Sequence, residues 1–192
     1  MKVLVVYAHP NPTSFNKAIL DTLLEGLRDA GHEIRVKDLY AEGFNPILDR
    51  KDLELANQGV VPEQIASEQH AITWADALVF IYPLWWFDRP AILKGWFDRV
   101  FTHGFAFRYS DSGMQGLLPQ RKALVIVTVG GAPAEYEQIN FAEHLVRPTT
   151  DGTLALCGVR YIEDKVFYAV PSVSDQERRK MLEEVRQLGL AF

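Results

Sequence analysis

The stretch "LVFIYPLWWFDRPAILKGWFDRVF", residues 78 to 101, decides how this chain is read. Leu78 to Tyr82 is an unbroken apolar run that suits a strand buried on both faces. Pro83 removes a backbone donor and ends the ladder. Pro90 suits the first turn of a helix, which runs to about Val100. Between strand and helix, Trp85, Trp86 and Phe87 stand side by side in a loop. Loops are usually polar, so such a loop is either tucked under the fold or a platform for a flat ligand. Adjacent side chains in a turn cannot all face one pocket, so one of the three is expected to pack into the core.

The same alternation extends in both directions. Val3 to Ala8 reads as a first strand. Phe15 to Ala30 carries Ile19, Leu20, Leu23, Leu24 and Leu27 at helical spacing, with Gly31 as its stop. Ile34 to Leu39 is a second strand, Glu42 to Gln58 is irregular and polar, and Glu63 to Trp74 is helical. Beyond residue 101 come a polar loop, a fourth strand at Ala123 to Thr128 and a helix over Phe141 to Cys157, whose extent Pro148 and Gly152 leave open. Val159 to Val170 holds a fifth strand, and Asp175 to Leu188 is a closing helix. Continuous apolar strands between helices indicate a parallel sheet covered on both faces. With right-handed crossovers this is an α/β three-layer sandwich of flavodoxin-like type, strand order 2-1-3-4-5, expected as a single domain over 1–192.

Composition excludes several functions. The 192 residues are 48% hydrophobic and 23% charged, ordinary for a globular protein. A net charge of -5 without a Lys/Arg cluster argues against nucleic acid. The one cysteine, Cys157, permits no internal disulfide and no Cys-x-x-Cys chemistry, so redox work needs a borrowed cofactor. The five histidines show no metal-ligand spacing, so no metal is expected. The apolar run after Met1 is too short for a signal peptide, and no run reaches spanning length. A cytoplasmic location is the expectation.

In the order 2-1-3-4-5, strands 1, 3 and 4 are neighbours, and their carboxyl-end loops line the crevice where such sheets bind ligands. The first loop, "HPNPTSFN" (His9 to Asn16), puts Thr13 and Ser14 at a helix start, an anion site in form. It lacks the glycines of a dinucleotide fingerprint and the Lys of a P-loop, and a plain N-cap reads the same way. The second, "PLWWFD" (Pro83 to Asp88), brings the aromatic surface. The third, "TVGGAPAEY" (Thr128 to Tyr136), has Gly130 and Gly131, which let backbone approach a ring or simply make a turn. Together the loops describe a ligand with a phosphate end and a broad planar end rich in acceptors. A flavin nucleotide has that form, which favours the platform reading of the aromatics.

The motifs "AHPNPTSFN", "DLYAEGFNPILDRKD", "YPLWWFDRPAILKGWFDRVF", "GFAFRY" and "TVGGAPAEY" occur in an order that resembles the flavoprotein NAD(P)H:quinone oxidoreductases, a family that includes drug-activity modulators and potassium-efflux ancillary proteins. The resemblance covers most of the chain, and "PAILKGWFDRVF" is its most specific part. It implies a ping-pong reaction in which NAD(P)H reduces the flavin by hydride transfer and a quinone then takes the electron pair in the same place. It implies that His9, Ser14, Phe15 and Asn16 hold the pyrophosphate and its neighbours. Pro83, Leu84, Trp86 and Phe87 then border the isoalloxazine, with Trp85 in the same loop, while Thr128, Gly130 and Gly131 touch its polar edge. Tyr136 sits over the reacting rings as a catalytic residue. Substrate contacts fall to Trp86, Phe87, Gly130 and Gly131, with Phe107 and Tyr109 as the pocket's lip. Asp98 and Arg178 fall where some relatives reach the adenosine half.

One departure concerns a histidine that some relatives carry six residues after the tyrosine. That place is Ala142 here, and His144, two residues on, is the candidate helper. The resemblance favours FAD over FMN, with NAD(P)H as co-substrate, and a homodimer with its active site at the interface. There Phe141 and Leu156-Cys157-Gly158 would line the partner's pocket. Two other readings stand beside the enzyme: a flavin-binding regulatory subunit of a membrane transporter of the potassium-efflux kind, and a one-electron carrier like flavodoxin.

Overall fold

The computed structural model describes residues 1–192, the side chain of Asn57 excepted. Five parallel strands form the central sheet: β1 (Lys2–Tyr7), β2 (Glu33–Asp38), β3 (Ala77–Pro83), β6 (Lys122–Thr128) and β7 (Tyr161–Phe167). Their order is β2-β1-β3-β6-β7, the expected 2-1-3-4-5 pattern. Neighbouring strands match residue for residue, with Val5 beside Val79 and Val79 beside Leu124. Successive side chains on a strand point to opposite faces, which explains the continuous apolar runs. Leu4, Val6, Leu78, Phe80 and Val125 face one layer, packed by α3 (Glu63–Trp74) and α4 (Ala91–Val100). Val3, Val5, Val79, Ile81 and Ile126 face the other, packed by α1 (Phe15–Asp29) and α6 (Asp175–Ala191).

Three regions differ from the sequence reading. The irregular Glu42 to Gln58 segment contains α2 (Arg50–Asn57), started by a capping box between Asp49 and Asp52. The polar loop after α4 contains a hairpin, β4 (Phe107–Ser110) with β5 (Gly113–Gly116), outside the main sheet. Between β6 and β7 lies a short α5 (Pro133–Gln138).

The single helix expected over Phe141 to Cys157 is a 3-10 turn at Ala142–His144 and a π-helical segment at Thr150–Ala155. Pro148 supplies no N–H to a regular ladder. Two bonds beyond it slip by one residue: the amides of Gly152 and Leu154 donate to the carbonyls of Arg147 and Thr149, both at 2.9 Å. No described helix is long and apolar enough to cross a membrane.

Candidate active site

The carboxyl ends of β1, β3 and β6 are joined by side chains of the three predicted loops. The amide of buried Asn16 donates through Nδ2 to Thr128 Oγ1 at 2.7 Å, tying the first loop to the third. The backbone N–H of Leu84 donates to the carbonyl of Thr128 at 2.8 Å, tying the second to the third. The His9 and Trp85 rings meet edge-on at 5.8 Å, and those of Phe87 and Tyr136 at 6.2 Å. Every pair of loops is in contact, so the three loops meet as strand order predicted.

Ser14 caps α1, its hydroxyl accepting from the Lys17 amide at 3.2 Å. The next two amides, of Phe15 and Asn16, have no acceptor among the described residues. Two parallel donors at a helix start suit an anion. His9 Nδ1 accepts the Asn11 amide at 3.0 Å, which leaves the Nε2–H of the neutral ring free to donate. Burial holds the His9 imidazole below its ordinary value, which favours the neutral ring.

The aromatic loop is a two-residue turn. Trp85 and Asp88 exchange backbone hydrogen bonds at 2.9 and 3.1 Å. Trp86 and Phe87, at its tip, have φ of 50° and 64°. Positive φ suits Asn or Gly and is strained for bulky side chains. None of the three aromatics enters the core, contrary to the expectation that one would. Trp85 and Phe87 are 42% exposed and Trp86 is 95% exposed. A tip with two residues in this conformation swings both side chains off the sheet end. Phe87 is flanked by Tyr136 and by Phe141, the latter at 4.8 Å.

The two glycines of the third loop do different work. A Cβ on Gly131 would lie 2.8 Å from a Glu135 carboxylate oxygen and 3.1 Å from the Tyr136 ring, so this glycine makes room for the tyrosine. A Cβ on Gly130 would meet nothing within 4 Å, and this is the open position. The Gly131 amide donates to the Tyr136 hydroxyl at 3.4 Å, which leaves the phenolic proton free to donate elsewhere. Pro83 is buried at the strand end and Leu84 packs beside the core.

The remaining predicted residues fall elsewhere. His144 is exposed and its ring meets Phe141 at 5.5 Å rather than Tyr136. Phe107 and Tyr109, the predicted lip, line a separate groove of about 970 Å³ between α2, the end of α4, the hairpin and the π-helical segment. No crevice residue lines that groove, so one chain does not bring lip and crevice together. Asp98 pairs with Lys94 at 2.6 Å on α4. Arg178 donates to the Val170 carbonyl at 2.9 Å. Sequence reasoning missed Arg89, a buried cation under the turn. Its signal was a charged residue between an aromatic triplet and the proline that opens a helix.

A family model described as a flavodoxin-like fold matches residues 1–188. The guinea pig (Cavia porcellus) protein named NAD(P)H dehydrogenase [quinone] 1 is 34% identical over 94% of this chain and 73% of its own length. The chain belongs to this flavodoxin-like family of NAD(P)H:quinone oxidoreductases. Within the family, a Haemophilus influenzae protein named as an uncharacterized NAD(P)H oxidoreductase is 35% identical over 97% of this chain and 93% of its own. The solved NAD(P)H:quinone oxidoreductase from Methanothermobacter marburgensis superposes with a TM-score of 0.89 at 34% identity, covering 99% of this chain and 96% of that one.

Proposed function

We propose that this chain is a flavin-dependent NAD(P)H:quinone oxidoreductase acting in the cytoplasm as one flavin-binding domain over 1–192. The observation that carries the reading is the set of unpaired donors on three joined loops beside an exposed, strained aromatic turn. The donor set fits a flavin nucleotide. The Phe15 and Asn16 amides, with His9 Nε2 and Ser14 beside them, suit a pyrophosphate. The amides of Trp86, Phe87 and Gly130 also have no acceptor among the described residues, and they suit the carbonyls and ring nitrogens of an isoalloxazine. FAD is favoured over FMN.

A bound flavin would supply the redox chemistry, receiving a hydride from NAD(P)H and handing two electrons to a quinone, which gains two protons in becoming a hydroquinone. The chain's residues orient and protonate. Trp86 and Phe87 present flat faces on which nicotinamide and quinone stack in turn, giving ping-pong kinetics. Tyr136 directs its free phenolic proton at the charge that builds during hydride transfer. His144, in contact with Phe141, is a weaker helper.

The separation of Phe107 and Tyr109 from the crevice supports a homodimer in which each copy's groove closes over its partner's crevice. Trp86 also favours a covering partner, since an exposed apolar platform is otherwise costly in water. The relatives named above are oxidoreductases, which favours an enzyme over a transporter subunit.

The deciding experiment purifies the protein, releases its bound flavin and identifies it, then mixes the holoprotein with NADH or NADPH and follows flavin bleaching. One flavin per chain and rapid bleaching are expected. A colourless protein that takes up neither FAD nor FMN overturns the reading.

A further inference from the structure

Two arginines of "FDRPAILKGWFDRVF" are buried to the same degree and served very differently. The Arg99 side chain is 8% exposed and fully partnered. It donates to both Asp52 carboxylate oxygens, at 2.8 and 3.1 Å, and to the Asn45 carbonyl at 2.6 Å. The Arg89 side chain is 7% exposed and has no such partner. Its Nη1 is shared between the hydroxyls of Thr149 and Thr153, each 3.3 Å away. Its Nε is enclosed and donates to nothing, and Nη2 makes no hydrogen bond within the chain. Asp88 lies 3.5 Å from Nε, but its carboxylate is half exposed and outside good hydrogen-bond reach. The Phe97 ring face, 4.9 Å from the guanidinium carbon, offers cation–π attraction only. A buried cation whose one ion pair is long and half exposed keeps hydrogen-bonding capacity that an anion can fill.

Arg89 and Thr153 line the groove of about 970 Å³ that also holds Phe107 and Tyr109. His103 and Tyr109 lie nearly parallel there, 6.2 Å apart, with Phe107 edge-on to Tyr109 at 5.7 Å. The groove therefore joins an aromatic ledge to an under-coordinated guanidinium, and its size admits a bicyclic ring system.

We propose that Arg89 makes this groove a receptor for the anionic substituent of an aromatic electron acceptor, a quinone-like ring carrying a carboxylate or sulfonate. The proposal rests on the oxidoreductase reading and on the dimer that brings groove and crevice together. The ring stacks between the ledge and the crevice, while the acid group takes Nη2, the guanidinium nitrogen that is neither enclosed nor hydrogen-bonded, by charge-assisted hydrogen bonding.

The test compares naphthoquinone sulfonate with unsubstituted naphthoquinone as acceptors for the flavin-loaded protein, and measures naphthalene sulfonate against neutral naphthalene by direct binding. Wild type should bind the sulfonate at least about tenfold more tightly than the neutral compound. Arg89→Met should raise KM for the sulfonated quinone about tenfold at unchanged kcat and leave the parent quinone unaffected. Arg89→Lys should restore part of the difference, since it keeps the charge and loses the fork. Three results overturn the proposal: equal binding of charged and neutral compounds by wild type, equal losses with both quinones in Arg89→Met, or a variant that changes only dimer dissociation. That last result would assign Arg89 to a carboxylate of the second copy. Absence of NAD(P)H oxidation with either quinone would instead reject the enzyme reading, leaving the binding comparison to judge the site.

Discussion

Trp86 and Trp96 stand ten residues apart in one motif and have opposite fates. Trp96, on α4, is fully buried, and its Nε1–H donates to the buried Glu68 carboxylate at 2.9 Å. It packs against Phe80, Phe97 and Phe101. Trp86, at the tip of the turn, is almost wholly exposed and sits at positive φ. The helix is optimised for stability: apolar faces inward, polar atoms satisfied. The turn violates both rules, with bulky aromatics at strained positions and donors facing out. Strain of this kind persists only where the surroundings impose it, and it gathers at functional sites.

If the contrast holds, the largest stability effect belongs to the helix. Trp96→Ala should destabilise the fold by about 3–5 kcal/mol, through a cavity and the loss of the donor to Glu68 Oε2, Lys37 remaining on the other oxygen. A urea midpoint near that of wild type would break the comparison.

Asp52→Asn should cost about 1–3 kcal/mol by leaving Arg99 without its ionic partner. The same pair carries a pH dependence. Hydrogen bonds from Arg99 hold the Asp52 carboxyl below its ordinary value of 3.8, so the folded state binds its proton less tightly than the unfolded one. The contribution is fully present above the ordinary value and fades as pH falls through the depressed one. Urea midpoints of wild type and Asp52→Asn should therefore converge in acid, and parallel curves would remove the pair from the account.

On the turn side the effects move from stability to chemistry. Tyr136→Phe should slow flavin reduction by about tenfold, equivalent to about 1.4 kcal/mol, without changing flavin content. His144→Ala should slow that rate less than Tyr136→Phe does, because its ring meets Phe141 rather than Tyr136. Stopped-flow bleaching reads both.

Trp86→Ala should weaken flavin or acceptor binding by about 1 kcal/mol, more than Trp85→Ala does, since Trp85 is held against His9. The smallest change runs the other way. Trp86→Gly should raise stability by about 0.5–1 kcal/mol, because glycine accepts positive φ and an exposed side chain gives up little packing. A loss of stability in Trp86→Gly would show that the tip is not strained.

The sequence alone determined the frame. Strand order, both covered faces and the start of α1 followed from uninterrupted apolar runs, helical spacing and Ser14, all signals local in the chain. The meeting of the three loops followed too, because strand order dictates which loops are neighbours. What sequence could not supply was anything set by non-local geometry. The polar composition of Glu42 to Gln58 hid α2, whose stability comes from the capping box and from Arg99 across the fold. The helix over Phe141 to Cys157 broke at Pro148, beyond which bonds such as Gly152 to Arg147 and Leu154 to Thr149 are shifted by one residue. The outward swing of Trp86, the different roles of Gly130 and Gly131, and the burial of Arg89 with only a long pair to Asp88 depend on φ angles and on neighbours far away in the chain. Such positions are fixed only when the loops close on one another, because the contacts that hold them, such as Asn16 to Thr128, exist only in the folded chain.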